Sequence, residues 1–307
     1  TIKNNNVELT IINIGASIFS LKTKDKHGKF EDIVLQYKDV KDYVVNRSFF
    51  GATVGRVAGR IKDGLISIDG KKCNLDKNYI DKHTLHGGSS GVNKQFFDYD
   101  QISDNKIELS YIQKSSIDGF PGNISIKVTY ELLKNSVVIH YDASSDEDTI
   151  LNVTNHCHYN LSGNYKYNVL GHNLKMVADE FVEIDFDLVP LAVSSLPEEM
   201  DFSTKRKIGD LIPSNYKHFN KGGIDHCYIV NADATTDADG LREVAIVECN
   251  LSGRSMQVFS DQPGVQLYTG NYLDGDGVHI KHGAMCLETQ AYPDAINSSF
   301  KDQVLLR

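Results

Sequence analysis

The chain has 307 residues, 40% of them hydrophobic and 24% charged, enough apolar material for a sizeable core in one large domain or two ordinary ones. A net charge of −9 and a pI near 5.6 argue against nucleic acid and against an anionic membrane surface, both of which need basic patches. No apolar run approaches the roughly 20 residues that a bilayer span requires.

The first eight residues are polar and carry no apolar secretory segment. A chain that begins at Thr1 rather than Met leaves a removed leader open. Period-two alternation then dominates. It starts at residues 7–21, with Gly15 as a bulge or bend, and continues through 107–111, 124–132 and 137–143. Ser103-Asp104-Asn105 and Lys134-Asn135-Ser136 read as hairpin connections. Residues 190–200, broken by Pro190, Ser194, Ser195 and Pro197, read as a loop, and 231–240 as an exposed excursion. Strands resume at 245–249, 255–259 and 265–269. Helical signals are short, at 40–45 and 207–212. So many half-buried strands need a facing sheet, which predicts one large antiparallel sandwich. Cys73, Cys157, Cys227, Cys249 and Cys286 are odd in number and dispersed, which points to free thiols in a reducing compartment and a cytoplasmic protein.

Several polar groups stand where strand patterns expect apolar ones: Glu288 after Ala284-Met285-Cys286-Leu287, and His156 and His158 after Asn155. Buried unpaired they would be costly, so they converge in a site or are paired. His156 and His158, two apart, would share one face of a strand. A metal reading of the pair lacks tight ligand spacing elsewhere, and a structural hydrogen-bonded pair is the plainer alternative. His86, in His83-Thr84-Leu85-His86-Gly87-Gly88, sits beside glycines that let the backbone approach a ligand or make an ordinary turn. Gly55-Arg56-Val57-Ala58-Gly59-Arg60 lacks the three-glycine spacing of a dinucleotide loop, and its arginines read equally as surface charges. Asp225 caps a turn or joins Glu288 as a glycosidase-like carboxylate pair. No Gly-x-Ser-x-Gly supports a serine hydrolase. Overall the set fits general acid–base chemistry on a neutral polar substrate.

Together these blocks resemble the galactose mutarotase (aldose 1-epimerase) family. Asn13-Ile14-Gly15-Ala16, Gly55 through Ile61, Thr84-Leu85-His86-Gly87-Gly88 with Gly91 and Lys94, and Phe120-Pro121-Gly122 come in order. So do the Asn155-His156 block, Gly223-Ile224-Asp225-His226, Gln266 in its strand, and Glu288-Thr289-Gln290 with Pro293-Asp294-Ala295. The resemblance implies an all-β, large antiparallel β-supersandwich with few short helices, formed by residues 1–307 as a single domain. It implies that Glu288 is the general base and His156 the general acid, with sugar contacts at Arg60, His86, Asp225 and Gln266. The substrate implied is a free aldohexose such as galactose or glucose, with no metal, no organic cofactor, no nucleic acid and no membrane, in a monomer or homodimer. The chain departs from the family's pattern at Gly59 (often Asn), at His158 (usually aromatic) and at Phe97 (usually Trp), the last implying weaker stacking on the sugar. It also starts late and stops at Arg307, where the family continues through another strand, so either the ends are trimmed or the sandwich closes differently. A silent sugar sensor or binding module, an epimerase for another aldose, and a glycosidase are the alternatives. A phosphosugar enzyme should carry a basic cluster that Arg56, Arg60 and Lys94 do not make.

Overall fold

The computed structural model describes residues 1–212, 221–274 and 279–307. The protein is all-β, with 44% strand and 10% helix. Its helical pieces are short, including the 3-10 turn Val40–Val44 and the α-turn Ile208–Leu211, which lie where the sequence carries its two helical signals. Among the described residues no helix is long and apolar enough to cross a membrane. The chain forms two compact units: Thr1–Leu21, Gln36–His156 and Ala291–Arg307 make the first, and Lys22–Leu35 with Cys157–Gln290 make the second.

In the first unit, Asp98–Ser103, Lys106–Gln113, Ile124–Leu132 and Val137–Ser145 form an antiparallel sheet in chain order. The apolar face of the third strand, Ile124, Ile126, Val128, Tyr130 and Leu132, is buried. Its register sets Val128 opposite Leu109 and Tyr130 opposite Ile107, so the buried faces of the two strands coincide. A slip of one residue would turn that whole set outward, and each large apolar side chain is worth about 1.5–3 kcal/mol when buried. The Asp98–Ser103 strand escapes sequence reading because all six residues are exposed, leaving no alternation to detect. A second cluster gathers Val57, Ile61, Ile66, Ile68, Phe120, Ile150 and Ile296. Phe97 is 2% exposed and packs on the Tyr111 ring at 5.4 Å, so it is a core residue and not a platform for sugar. Gly15 does separate two strands, Val7–Ile12 and Ser17–Lys24; its φ is +61°, and a Cβ there would lie 2.5 Å from the Asn93 carbonyl oxygen.

Arg56 corrects a sequence expectation. It is not a surface charge: it is 0% exposed. Its Nε donates to Gln113 Oε1 (3.1 Å), Nη1 to the Pro121 carbonyl (2.6 Å) and Thr149 Oγ1 (3.1 Å), and Nη2 to the Gly122 carbonyl (3.1 Å). Its guanidinium also lies 5.4 Å from the centre of the Phe120 ring. Burial lowers its pKa to about 10, which leaves it charged at neutral pH.

The second unit holds a five-stranded antiparallel sheet in the order Pro190–Ser195, Glu180–Ile184, Asp225–Ile229, Gly264–Tyr268, Cys286–Gln290. The first of these corrects the expectation of a loop at 190–200. Pro190 begins an edge strand at a register shift opposite Ile184, a position where its missing N–H is tolerated. A four-stranded sheet of Arg206–Lys207, Asn173–Met176, Arg242–Cys249 and Arg254–Ser260 completes the unit's main β structure.

Glu31 ties this unit together electrostatically. Its side chain is 0% exposed; Oε1 meets Lys166 Nζ at 2.5 Å and Lys29 Nζ at 2.9 Å, and Oε2 meets Arg254 Nη2 at 3.3 Å. The Lys166 ammonium, then Lys29 and Arg254, hold the carboxyl at about 2. A carboxylate depressed in this way adds stability that is complete above its unfolded pKa, near 4.3, and is lost as pH falls through the folded value. The two lysines are partly exposed and screened, so the enclosed Arg254 is the firmer partner. Stability should therefore fall between about pH 4.5 and pH 2, and Glu31→Gln should flatten that segment of the curve. Urea midpoints measured across this window test it; parallel curves for the two proteins would remove Glu31 from the account.

Candidate active site

The first unit brings Arg60, His86 and His156 into two neighbouring arrangements. The Arg60–Ile61 strand pairs with Thr84–Leu85, setting Arg60 opposite Leu85 and delivering His86 at the end of the ladder. The His86 amide donates to the Gly59 carbonyl (3.0 Å), and the Gly59 amide donates to His86 Nδ1 (3.2 Å). That second bond uses Nδ1 as an acceptor, so the neutral ring carries its proton on Nε2. Part of His86 remains exposed, yet the packing around its ring disfavours the charged form. Its pKa lies well below the ordinary value, first from burial and then from the charges on His156 and Arg60. His86 is thus a neutral donor with one free N–H. Gly59 takes part through its backbone, with both its carbonyl and its amide bonded to His86.

The Thr154–Asn155 strand pairs with Thr53–Val54 and ends there. His156 and His158 both follow its end, so the strand that their spacing suggested does not reach them. His156 is instead held by its main chain: its amide donates to the Ala52 carbonyl (2.8 Å) and its carbonyl accepts from Gly51 (3.1 Å). The ring is 8% exposed, stacks on Phe49 at 5.5 Å and meets His86 edge-on at 5.4 Å. Phe49, which also packs edge-on to His86 at 4.7 Å, was invisible in the sequence pattern. Its backbone has φ +56°, a left-handed turn that no local motif announces.

The paired glycines after His86 have a structural use. A Cβ on Gly87 would lie 1.9 Å from the Gly55 carbonyl oxygen, and one on Gly88 would strike the Asp118 side chain at 2.6 Å. Both have positive φ (+87° and +95°). The close approach they permit is to the protein's own chain.

In the second unit the register does the work. Asp225 stands opposite Tyr268, Cys227 opposite Gln266, Gln266 opposite Glu288, and Tyr268 opposite Cys286. Opposed residues share a face and alternate residues return to it. One face of three adjacent strands therefore carries Asp225, Cys227, Gln266, Tyr268, Cys286 and Glu288. Gln266 Nε2 donates to Asp225 Oδ1 at 2.7 Å, which directs the amide and leaves Gln266 Oε1 as an acceptor. Glu288 is 3% exposed, while Asp225 and Gln266 are half-buried.

The two thiols in this row remain protonated. Burial pushes Cys227 up to about 12, and the Glu288 charge adds to it; Cys286 is raised well above the usual range by burial and then Glu288. Neither supplies an anion or a nucleophile at neutral pH. Tyr268 is raised likewise by burial, and its hydroxyl accepts the Tyr272 amide at 3.0 Å. His158 is buried, edge-on to Tyr268 at 5.8 Å, with a ring nitrogen within 4.8 Å of the Cys286 sulfur. Tyr268 was within reach of sequence reasoning, since it lies two residues beyond Gln266 in an alternating strand.

A family model described as aldose 1-epimerase matches residues 1–307. The chain is 33% identical to the galactose mutarotase of Rattus norvegicus over 314 residues, covering 100% of this chain and 89% of that protein. It is 30% identical to the aldose 1-epimerase of Streptococcus thermophilus, covering 98% and 88%. Among solved structures, the GalM/aldose epimerase homologue from C. elegans superposes with a TM-score of 0.88 at 28% identity, covering 100% of this chain and 93% of that one. The galactose 1-epimerase from Lactobacillus acidophilus gives 0.85 at 25% identity, covering 99% and 88%.

Proposed function

The chain belongs to the aldose 1-epimerase family and is an isomerase of sugar anomers, and on that premise we propose that Glu288 is its general base and His156 its general acid. Arg60, His86, Asp225 and Gln266 hold the hydroxyls of a free aldohexose. The observation that carries this reading is the row of Asp225, Gln266 and Glu288 on one face of three adjacent strands.

Anomerisation needs the C1 hydroxyl deprotonated while the ring oxygen is protonated. Glu288 takes the O1 proton, the O1 electron pair becomes the carbonyl of the open-chain aldehyde, and the C1–O5 bond breaks. His156 gives its proton to O5. Rotation about C1–C2 turns the other carbonyl face to O5, and closure returns both protons. Each transfer is worth about 10²–10⁴-fold. Both are made by side chains alone, so the reading calls on no metal and no organic cofactor.

The binding roles follow from donor and acceptor inventories. His86 offers its Nε2–H because Nδ1 is occupied by Gly59. Asp225 keeps one carboxylate oxygen clear of Gln266, and Gln266 offers Oε1. Arg60 supplies charged donors, which bind neutral hydroxyls more strongly than neutral donors do. Residues 1–307 acting as one catalytic domain belongs to the same reading, supported by the span of the family match. A cytoplasmic site of action is supported by the five free cysteines.

Polarimetry on freshly dissolved α-galactose and α-glucose tests the function. Protein should hasten the approach to the equilibrium rotation for at least one sugar. Sugar binding without any gain in rate would favour the silent binding module, and release of reducing sugar from a glycoside would favour the glycosidase.

A further inference from the structure

Arg60 is placed without a hydrogen-bonded side-chain partner among the described residues. Its Nε is buried with no acceptor, and no carboxylate pairs with its guanidinium among those residues. What does touch it is an aromatic ring: the guanidinium carbon stands 4.4 Å above the centre of Tyr79. At that distance the ring's negative face attracts the cation, and the flat guanidinium stacks on it while its edge N–H groups remain free.

Tyr79 is itself held tightly. Its amide donates to the His83 carbonyl and the His83 amide to the Tyr79 carbonyl, both at 3.0 Å, and Lys82 donates to the same Tyr79 carbonyl at 3.1 Å. His83 closes this turn from a site 1% exposed, where its Nδ1 accepts the Asp63 amide at 2.9 Å. On the other side, Asn78 exchanges two hydrogen bonds with the Leu85 main chain (2.9 and 2.7 Å), and Leu85 is the residue opposite Arg60. The ring is therefore carried by a turn stapled at both ends to the ladder that carries Arg60.

We propose that Tyr79 is a positioning residue that aims the Arg60 guanidinium at the sugar through its ring face. This rests on the reading of Arg60 as a sugar contact. An arginine side chain loses much rotamer freedom when it is fixed, and an aromatic shelf lets that loss be met before substrate arrives. The contribution falls on binding and leaves the proton transfers alone, so it appears in KM more than in kcat.

The test uses the full-length protein, with initial rates on α-galactose followed by polarimetry. Tyr79→Phe keeps the ring face and should hold KM within about twofold. Tyr79→Leu should raise KM about five- to tenfold with kcat little changed, the size expected for one lost cation–π contact. In an Arg60→Met background, Tyr79→Leu should add nothing further, since the group it positions is gone. Phenylalanines carrying one, two and three ring fluorines at position 79 withdraw charge from the ring face at nearly constant shape. KM should climb along that series, which a purely steric role would not produce. A flat fluorine series, or a Tyr79→Leu loss that persists undiminished without Arg60, would overturn the proposal while Arg60 keeps its role. An Arg60→Met protein with ordinary KM would instead remove the underlying reading of Arg60, and the proposal with it. Thermal melting of each variant separates these outcomes from misfolding.

Discussion

Glu288→Gln should lower kcat by two or more orders of magnitude with the fold intact, and His156→Asn should do the same. The glutamine keeps the size of the side chain and one carbonyl acceptor, so packing in the row beside Gln266 is preserved. What it loses is the ability to take a proton. Because that transfer occurs in the transition state, the loss lies mainly in kcat, and KM changes little. The neighbouring thiols offer no substitute: Cys227 and Cys286 are held protonated by burial, so no thiolate from either stands in for the carboxylate at neutral pH. At the other end, His86 cannot replace His156 as the acid. Its ring is neutral, and its Nδ1 is engaged by the Gly59 amide. The proposed mechanism uses both groups in one exchange, so on that reading the double variant should fall well short of the product of the single losses. Polarimetric kcat and KM, with circular dichroism as a fold check, measure all three. Turnover within about tenfold of the parent in either single variant would withdraw that residue's role.

Arg56→Met should cost about 3–5 kcal/mol of stability. Methionine has a similar reach and fits an apolar wall, so volume is roughly conserved. The charge, however, is what satisfies Gln113, Thr149 and the Pro121 and Gly122 carbonyls. Each buried acceptor left unpaired costs on the order of 1–3 kcal/mol. Releasing a desolvated cation offsets part of this, which is why the expected sum lies below the total for four orphaned acceptors. The stacking against Phe120 is lost as well. Arg56→Lys should recover only part of the loss, because three donors on a point charge cannot reproduce a planar fork that reaches four acceptors. Urea midpoints at constant m report the difference. A change below about 1 kcal/mol in Arg56→Met would mean that the acceptors find other donors.

Alternation alone revealed the strands Lys106–Gln113, Ile124–Leu132, Val137–Ser145 and Arg254–Ser260, because in each of them one face is wetter than the other. The same logic misses strands with one environment throughout, as at Asp98–Ser103, and edge strands begun by proline, as at Pro190–Ser195. Glu288 and His156 stand out in the sequence because they are polar where strand patterns expect apolar residues, whereas His86 and Asp225, in a glycine turn and a possible cap, became candidates through the family resemblance. The family match spans residues 1–307, so the resemblance those blocks carry holds for the whole chain.

Partnership was not legible in the sequence. Arg56 reads as a surface charge until its acceptors arrive from 57 to 93 residues away. Gln266 directs Asp225 only because two strands 41 residues apart pair in one register. The glycines after His86 look like a ligand cradle, yet they make room for Gly55 and Asp118. His156 and His158 look like one strand face, yet the strand stops before either of them. Local sequence determines which side of a segment seeks water, because that depends on the residue and its immediate period. Which groups meet on the buried side is decided by long-range closure of the chain, where a polar group is kept only if distant atoms complete its hydrogen bonds.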